Sequence, residues 1–193
     1  HRTPKSFFIK IDRDLDLGEE GYHLSIDSDN SVEINSLSYA GLFYGYQTFR
    51  QICDPELESE KDLMSTSIPC LEIIDEPKFG YRGMHLDVSR HFFDVDFIKT
   101  YIDMIALHKM NVFHWHLTDD NGWRIEIDTY PLLAEKSAWR VDRTSEPWKE
   151  QSPVKENEEA TYGGYYTKEE IREVVDYAAS KSIMVIPEIE MPG

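Results

Sequence analysis

Residues 81–124 read YRGMHLDVSRHFFDVDFIKTYIDMIALHKMNVFHWHLTDDNGWR, and this stretch decides the predicted fold. Its residues follow the order of a strand, a loop, a helix, a second strand and a second loop. Polar residues follow the first strand (Asp87, Ser89, Arg90, His91) and the second (His116, Asp119, Asp120). In parallel α/β folds the carboxyl ends of the strands meet at one edge, where binding and catalytic sites are built. The stretch therefore predicts a functional site at that edge.

Composition and charge exclude several classes of function. The 193 residues are 40% hydrophobic and 12% aromatic, enough for a packed core. They include 37 acidic and 20 basic side chains, for a net charge of -17, which argues against nucleic acid and anionic lipid as partners. No apolar run reaches the roughly 18–20 residues that span a bilayer. The opening residues show no apolar region of a signal peptide, so they do not reveal the compartment.

Residues 1–76 are predicted to form a small α/β domain. Its strands are marked by Phe7, Phe8, Ile9 and Ile11, by Tyr22, Leu24 and Ile26, by Val32 and Ile34, and by Leu71, Ile73 and Ile74. The second and third strands form a hairpin around the polar residues 27–30. A helix over residues 36–53 has an apolar stripe of Leu42, Tyr46, Phe49 and Cys53. Gly41 and Gly45 weaken this helix, so we interpret them as points of close approach to the sheet.

The end of this domain is predicted from polar residues and helix breakers. The helix is expected to end at Asp54-Pro55, and residues 56–67 are expected to form a polar loop. Residues 75–77 read as a linker. Cys53 and Cys70 are an even pair, and the sequence leaves open whether they form a disulfide.

Residues 77–193 change to an alternation of strands and helices, which predicts a parallel sheet. Asp94 caps a helix whose buried face is Ile98, Tyr101, Ile102 and Ile105. Thr167 and Glu170 form a capping box for another, with Ile171, Val174, Val175 and Ala178 on one face. Residues 118–166 are a long irregular excursion, and residues 183–189 are a buried third strand. A (β/α)₈ barrel typically needs about 250 residues, so we expect the front portion of a longer enzyme.

The candidate chemistry lies where the strands end. Arg90 offers a planar fork of donors to carboxylates, phosphates or vicinal hydroxyls, or forms a structural ion pair. His114 and His116 face the same side of the second strand, with Trp115 on the other. This pair could bind a metal, although no cysteine or third histidine lies at ligand spacing. The alternative is that one histidine packs inside the fold and the other bonds a carboxylate.

Two pairs of acids flank these residues. Asp119 and Asp120 are adjacent on an extended segment and point apart, so one of them faces the site while the other fixes a loop. Glu188 and Glu190 share a face at the end of the third strand, and the outer position favours Glu190 as an acid, a base or a partner that orients a histidine. Three aromatic residues of the excursion could stack on sugar rings or pack internally: Trp123, Trp139 and Trp148.

At these residues the chain resembles the β-N-acetylhexosaminidases of glycoside hydrolase family 20. The matching segments are AGLFYGYQTFRQI, YRGMHLDVSRHF, NVFHWHLTDDNGWRIEIDTYPLL and YYTKEEIREVVDYAASKSIMVIPEIEMPG. The resemblance implies a small N-terminal α/β domain followed by the first three βα units of a TIM (β/α)₈ barrel, incomplete in this chain. It also implies that the protein removes terminal N-acetylglucosamine or N-acetylgalactosamine from glycans, with no metal and no organic cofactor.

The resemblance assigns roles to individual residues. Arg90 matches an arginine that grips hydroxyls of the terminal sugar, and Asp119 matches an acid at the same site; both are expected to bind substrate. His116, Asp120 and Glu190 are expected to support them. Glu190 stands where many relatives have aspartate, and it would support a histidine that follows Gly193.

The family's mechanism is substrate-assisted and retaining: the acetamido oxygen of the substrate attacks the anomeric carbon and forms an oxazolinium. The Asp–Glu pair that assists it lies on a later strand, so we expect no catalytic residue within these 193 residues and no activity without the rest of the barrel. One alternative is a non-catalytic amino-sugar-binding protein on the same scaffold. Another is a metal-dependent hydrolase that uses His114 and His116.

Overall fold

A computed structural model describes residues 6–29, 31–53, 68–147 and 150–191. The chain divides into two compact units. The first comprises His1–Arg82 with Ala106–Met110, and the second comprises Gly83–Ile105 with Asn111–Gly193. Within the described ranges, no helix is both long enough and apolar enough to cross a lipid bilayer.

The first unit is a four-stranded sheet with one helix packed on it. Its elements are β1 (Ser6–Ile11), β2 (Tyr22–Ile26), β3 (Ser31–Ser36), α1 (Tyr39–Ile52) and β4 (Leu71–Asp75). The strand order is β1-β3-β2-β4, with β1 parallel to β3 and the other pairs antiparallel. The predicted strands and the hairpin between β2 and β3 are therefore confirmed. No disulfide joins Cys53 and Cys70, and the predicted loop of residues 56–67 lies outside the described residues.

Helix α1 lies close to the sheet because two of its positions lack a side chain. Ser38 caps its N-terminus by accepting a hydrogen bond from the backbone N–H of Gly41 at 3.3 Å. A Cβ on Gly45 would come within 2.6 Å of Ile34 Cγ2, and one on Gly41 would overlap the Ser36 side chain and the Gly21 carbonyl oxygen. The close approach predicted from these two glycines is confirmed.

The apolar stripe predicted for α1 is wrong at Tyr46. That side chain is 43% exposed, whereas Tyr44 and Gln47 are buried with Leu42. The reason is geometric. Gly41 and Gly45 mark the line along which α1 lies closest to the sheet, so the sheet covers the residues beside that line, and Tyr46 points away from it.

The second unit contains a parallel three-stranded sheet. Its elements are β5 (Gly83–Asp87), α2 (Val95–Leu107), β6 (Val112–Asp119), β7 (Gly122–Trp123), α3 (Pro131–Glu135), β8 (Trp139–Arg140), β9 (Tyr162–Gly163), α4 (Lys168–Ala179) and β10 (Met184–Ile189). The strand order is β10-β6-β5, both pairs are parallel, and β7 folds back on β6 as an antiparallel partner. The predicted strand–helix alternation is confirmed, and the excursion contains β7, α3 and a β8–β9 pair.

Both predicted helix caps of this unit are confirmed. The Asp94 carboxylate accepts from the backbone N–H of Phe97 at 2.9 Å, and Thr167 and Glu170 form a complete capping box. The buried face of α2 contains Ile98 and Ile102. On α4, Val174 and Ala178 are buried, whereas Val175 is 41% exposed, so its predicted place on the buried face is wrong.

Strand β10 was expected to be buried, and it is not. Its residues are half-buried or exposed, with Met184 64% exposed. Among the described strands β10 pairs with β6 alone, so it lies at an edge of this sheet. The apolar residues of a parallel strand therefore predicted its position in the chain correctly but not its burial.

Candidate functional site

The parallel register of the second sheet brings polar side chains of three strands onto one face. His85 of β5 pairs with His114 of β6, and Asp87 pairs with His116. On the other side of β6, Glu188 of β10 also pairs with His116. Paired residues of parallel strands point to the same face, so the alternation predicted for His114, Trp115 and His116 is confirmed.

Arg90 is held at the carboxyl end of β5 by two aspartates. Its guanidinium lies 3.0 Å from Asp87 Oδ2 and 2.6 Å from Asp119 Oδ2, and its side chain remains 42% exposed. Burial opposes its charge, but the hydrogen bond and charge of Asp87, and then the charge of Asp119, raise the pKa of Arg90 above its ordinary value. The arginine is therefore charged, oriented and accessible.

Asp119 is fixed by donors on both carboxylate oxygens. Oδ1 accepts from the backbone N–H of Asp120 at 2.8 Å, and Oδ2 faces Arg90 and lies 3.2 Å from Nε2 of His116. The Asp120 N–H first, and then the charge of Arg90, holds the pKa of Asp119 below its usual range. The Asp120 side chain is exposed and lies in a turn directly after β6.

A buried arginine fixes the backbone next to Arg90. Arg124 is 0% exposed and donates to the carbonyl oxygens of Val88 at 3.0 Å and Ser89 at 2.7 Å. It also donates to the carbonyls of Ala138 and Gly164. Burial lowers its pKa to about 10, so it stays charged at neutral pH. One guanidinium thus joins the end of β5 to two separate parts of the excursion.

Glu188 of β10 and Glu190, which follows this strand, occupy different surroundings. Strand β10 ends at Ile189, and its register with β6 shifts between Glu188 and Ile189, so that Ile189 pairs with Thr118. Glu188 lies among the histidines, with Oε2 2.7 Å from Nε2 of His114. Glu190 instead donates its backbone N–H to Thr118 Oγ1 at 2.8 Å. Glu188, and not Glu190, is therefore the glutamate that lies among His85, His114 and His116.

A cavity of about 630 Å³ opens beside Asp119. Asp119, Asp120 and Glu190 line it together with the aromatic residues Trp123 and Tyr130. Carboxylates and aromatic rings suit a sugar, whose hydroxyls bond the acids and whose C–H faces lie on a ring. Of the predicted tryptophans, Trp123 is at this cavity, Trp139 is 40% exposed in β8, and Trp148 lies outside the described residues.

One group of side chains has a donor set that a metal could use. His85, His116 and Glu188 each offer one ligand atom, and these atoms lie within 4.8 Å of one another. Two imidazoles and a carboxylate are a donor set that zinc accepts. The metal alternative had paired His114 with His116, and it overlooked His85. The signal that could have found His85 is its place two residues before Asp87, on the same face of the preceding strand.

Models of one protein family match both parts of the chain. The family model described as glycosyl hydrolase family 20, catalytic domain, matches residues 79–193, and the model for domain 2 of the same family matches residues 2–76. The chain belongs to glycosyl hydrolase family 20.

The similarity is illustrated by one relative and two solved structures. A β-hexosaminidase of Porphyromonas gingivalis is 46% identical over 97% of this chain, which spans 22% of that relative. An N-acetyl-β-hexosaminidase of Streptomyces plicatus, solved with thio-NAglucal, superposes with a TM-score of 0.83 at 39% identity, covering 97% of this chain and 34% of that one. An exo-β-N-acetylglucosaminidase of Vibrio harveyi, solved with N-acetylglucosamine, gives 0.80 at 39% identity, covering 97% and 27%. The chain thus spans about a fifth to a third of each of these relatives.

Proposed function

We propose that the full-length protein containing this chain removes terminal, non-reducing N-acetyl-β-hexosamine from glycans. Its substrates are glycans that end in N-acetylglucosamine or N-acetylgalactosamine. The observation that carries the proposal is the Arg90–Asp119 pair, 2.6 Å apart at the ends of two adjacent parallel strands. A charged guanidinium beside a fixed carboxylate offers donors and acceptors to the vicinal hydroxyls of a sugar.

The proposal also assigns a role to each part of the protein. Residues 1–76 form the small domain, and residues 77–193 form the first three βα units of a TIM barrel. In that arrangement Arg90 and Asp119 bind the terminal sugar, and His116, Asp120 and Glu190 support them. The acetamido group of the substrate is the nucleophile, and an Asp–Glu pair outside these 193 residues assists it. This chemistry needs neither a metal nor an organic cofactor.

The test is hydrolysis of an aryl N-acetyl-β-glucosaminide by the full-length protein. Arg90→Ala should lower kcat/KM by more than about tenfold, because hydrogen bonds to a charged group contribute about 1.5–3 kcal/mol each. The control is Arg172→Ala in α4, since Arg172 pairs with Glu169 in an ion pair whose side chains are 67% and 79% exposed. An unchanged kcat/KM in Arg90→Ala would remove this residue from the site.

Two further measurements separate the alternatives. If the full-length protein binds N-acetylglucosamine but releases no aryl leaving group, it is an amino-sugar-binding protein rather than an enzyme. The 193 residues alone should release none, because the catalytic pair lies outside them. The metal alternative now rests on His85, His116 and Glu188. Activity that survives dialysis against a chelator would reject it, and activity that is lost and then restored by zinc would favour it.

A further inference from the structure

Glu188 is placed to act on the substrate-binding carboxylate through a histidine. Nε2 of His116 lies 3.2 Å from Asp119 Oδ2 and 3.0 Å from the Thr118 carbonyl oxygen. Both of these oxygens can only accept, so Nε2 must carry a hydrogen. The other ring nitrogen, Nδ1, lies 3.5 Å from Glu188 Oε2. His116 therefore stands between two carboxylates, one from its own strand and one from β10.

The surroundings of Glu188 indicate that its charge is directed at this histidine cluster. Oε2 is buried and makes no hydrogen bond of standard geometry within the described part of the chain. Imidazole nitrogens of His85, His114 and His116 nevertheless surround it at 3.5, 2.7 and 3.5 Å. A buried carboxylate oxygen is costly unless positive or donor groups compensate it. The three rings supply that compensation, and Glu188 in return restricts how they are oriented.

We propose that Glu188 and His116 are positioning residues that hold Asp119 in the orientation that binds the sugar. The inference rests on the proposed function, since it concerns the same sugar site. Glu188 Oε2 faces Nδ1 of His116 and attracts the ring when both of its nitrogens carry hydrogen. The ring's Nε2–H then fixes Asp119 Oδ2, the oxygen that also faces Arg90. Groups that orient a contacting residue affect binding without touching the ligand. In this relay Asp119 depends on Glu188 of β10.

Two substitutions of His116 distinguish positioning from simple packing. The amide nitrogen of glutamine lies near the place of Nε2, so His116→Gln keeps a donor toward Asp119. The amide nitrogen of asparagine lies near the place of Nδ1, so His116→Asn loses that donor. We expect His116→Asn to weaken N-acetylglucosamine binding by about tenfold, the effect of one hydrogen bond to a charged group. His116→Gln should stay within about threefold, which is under 1 kcal/mol. Equal losses in both variants would show that only packing matters and would overturn the proposal.

A double-mutant cycle tests whether Glu188 acts through Asp119. The dissociation constant of N-acetylglucosamine is measured by calorimetry in the full-length protein, in Glu188→Gln, in Asp119→Asn and in the double variant. Glu188→Gln alone should weaken binding by about threefold to tenfold, and in the Asp119→Asn background it should have less than about a twofold effect, because coupled residues are not additive. Additive effects would overturn the relay. Thermal unfolding of each variant identifies any that fails to fold, and for such a variant the comparison of His116→Gln with His116→Asn decides.

A matched control exists in the first unit. Glu72 Oε1 lies 2.9 Å from His23 Nε2, and the Glu72 side chain is 69% exposed. Glu72→Gln and His23→Gln repeat the same chemical changes away from the sugar site and should leave binding unchanged. The hydrolysis assay separates the two proposals. Coupled binding without hydrolysis would overturn the proposed function and keep the relay, whereas hydrolysis with additive effects would do the reverse.

Discussion

The two sheets of this chain use their inner strands in different ways. In the first unit, Leu24, Val32 and Ile34 are fully buried on one face under α1. In the second, β6 has an apolar face with Phe113 and Trp115 and an opposite face with two histidines. Apolar burial stabilises a fold without any need for partners, whereas a polar face must satisfy every donor and acceptor. The first sheet therefore contributes stability, and the second combines stability with a site.

A pair of a glutamate and a histidine occurs in each unit and illustrates this difference. In the first unit, Glu72 and His23 meet at the surface of the sheet. Solvent screens their charges there, and such pairs contribute about 1 kcal/mol or less. In the second sheet the glutamate at position 188 meets histidines whose most enclosed member, His116, has a side chain only 8% exposed. Interactions between polar groups strengthen as water is excluded. The environment, and not the residue types, makes the second pair a candidate for function.

The largest expected effect tests whether the second unit depends on buried polar groups. Arg124→Met should lower the free energy of unfolding by about 3 kcal/mol or more, because it removes the arginine donor from buried carbonyl oxygens at Val88, Ser89, Ala138 and Gly164. The measurement is urea or thermal unfolding of the full-length protein. Arg172→Met, at an exposed ion pair, should change stability by no more than about 0.5 kcal/mol. Similar stability in both variants would contradict the assigned role.

The next effect tests whether the first unit depends on close packing alone. Gly41→Ala should destabilise the protein by about 2–3 kcal/mol, because the added methyl group overlaps Ser36 and the Gly21 carbonyl oxygen. Alanine is the better helix former by about 1 kcal/mol, so a net loss isolates the steric effect. The control is Gly80→Ala, where a Cβ would meet nothing within 4 Å. A stabilised Gly41→Ala protein would show that α1 can move away from the sheet at little cost.

The smallest effect concerns pH and belongs to the second unit. Since the Asp120 N–H and Arg90 hold the pKa of Asp119 below its usual range, the ionised carboxylate stabilises the folded protein above about pH 4, the ordinary value for aspartate. That contribution is lost as pH falls through the lowered pKa. The difference in unfolding temperature between the native protein and Asp119→Asn should therefore be constant from about pH 7 to 5 and shrink below about pH 4. A constant difference down to about pH 2 would contradict the lowered pKa.

The sequence predicted those parts of the fold that depend on local patterns. Caps at Asp94 and Thr167 follow from side chains that bond nearby backbone groups, and the β2–β3 hairpin follows from alternation around a polar turn. Tyr46 and Val175 were misplaced because which part of a helix is covered depends on the line of contact with its neighbour. Periodicity gives the direction of an apolar face but not its width.

The candidate site was predictable where a residue acts at the end of its own strand. Arg90 and Asp119 met as the parallel arrangement required. Two features depended on pairing between strands and were missed: the proximity of His85 and the place of Glu188 beside the histidines. The burial of Arg124 was missed as well. Residue 124 follows a tryptophan in a polar segment, and nothing in that segment distinguishes a surface arginine from one that bonds four carbonyl groups.

The register shift between Glu188 and Ile189 means that a change of one residue in length could alter this site. Side chains alternate with a period of two, so one residue added or removed beside a strand exchanges the sides to which the following residues point. In this chain Leu117 of β6 is the residue skipped by the pairing. A deletion there would restore a continuous ladder and turn the residues that follow in β6, Thr118 and Asp119, to the opposite face. A homologue that lacked one residue at this place would thus present Asp119 on the opposite face of the sheet, without any change in its chemistry.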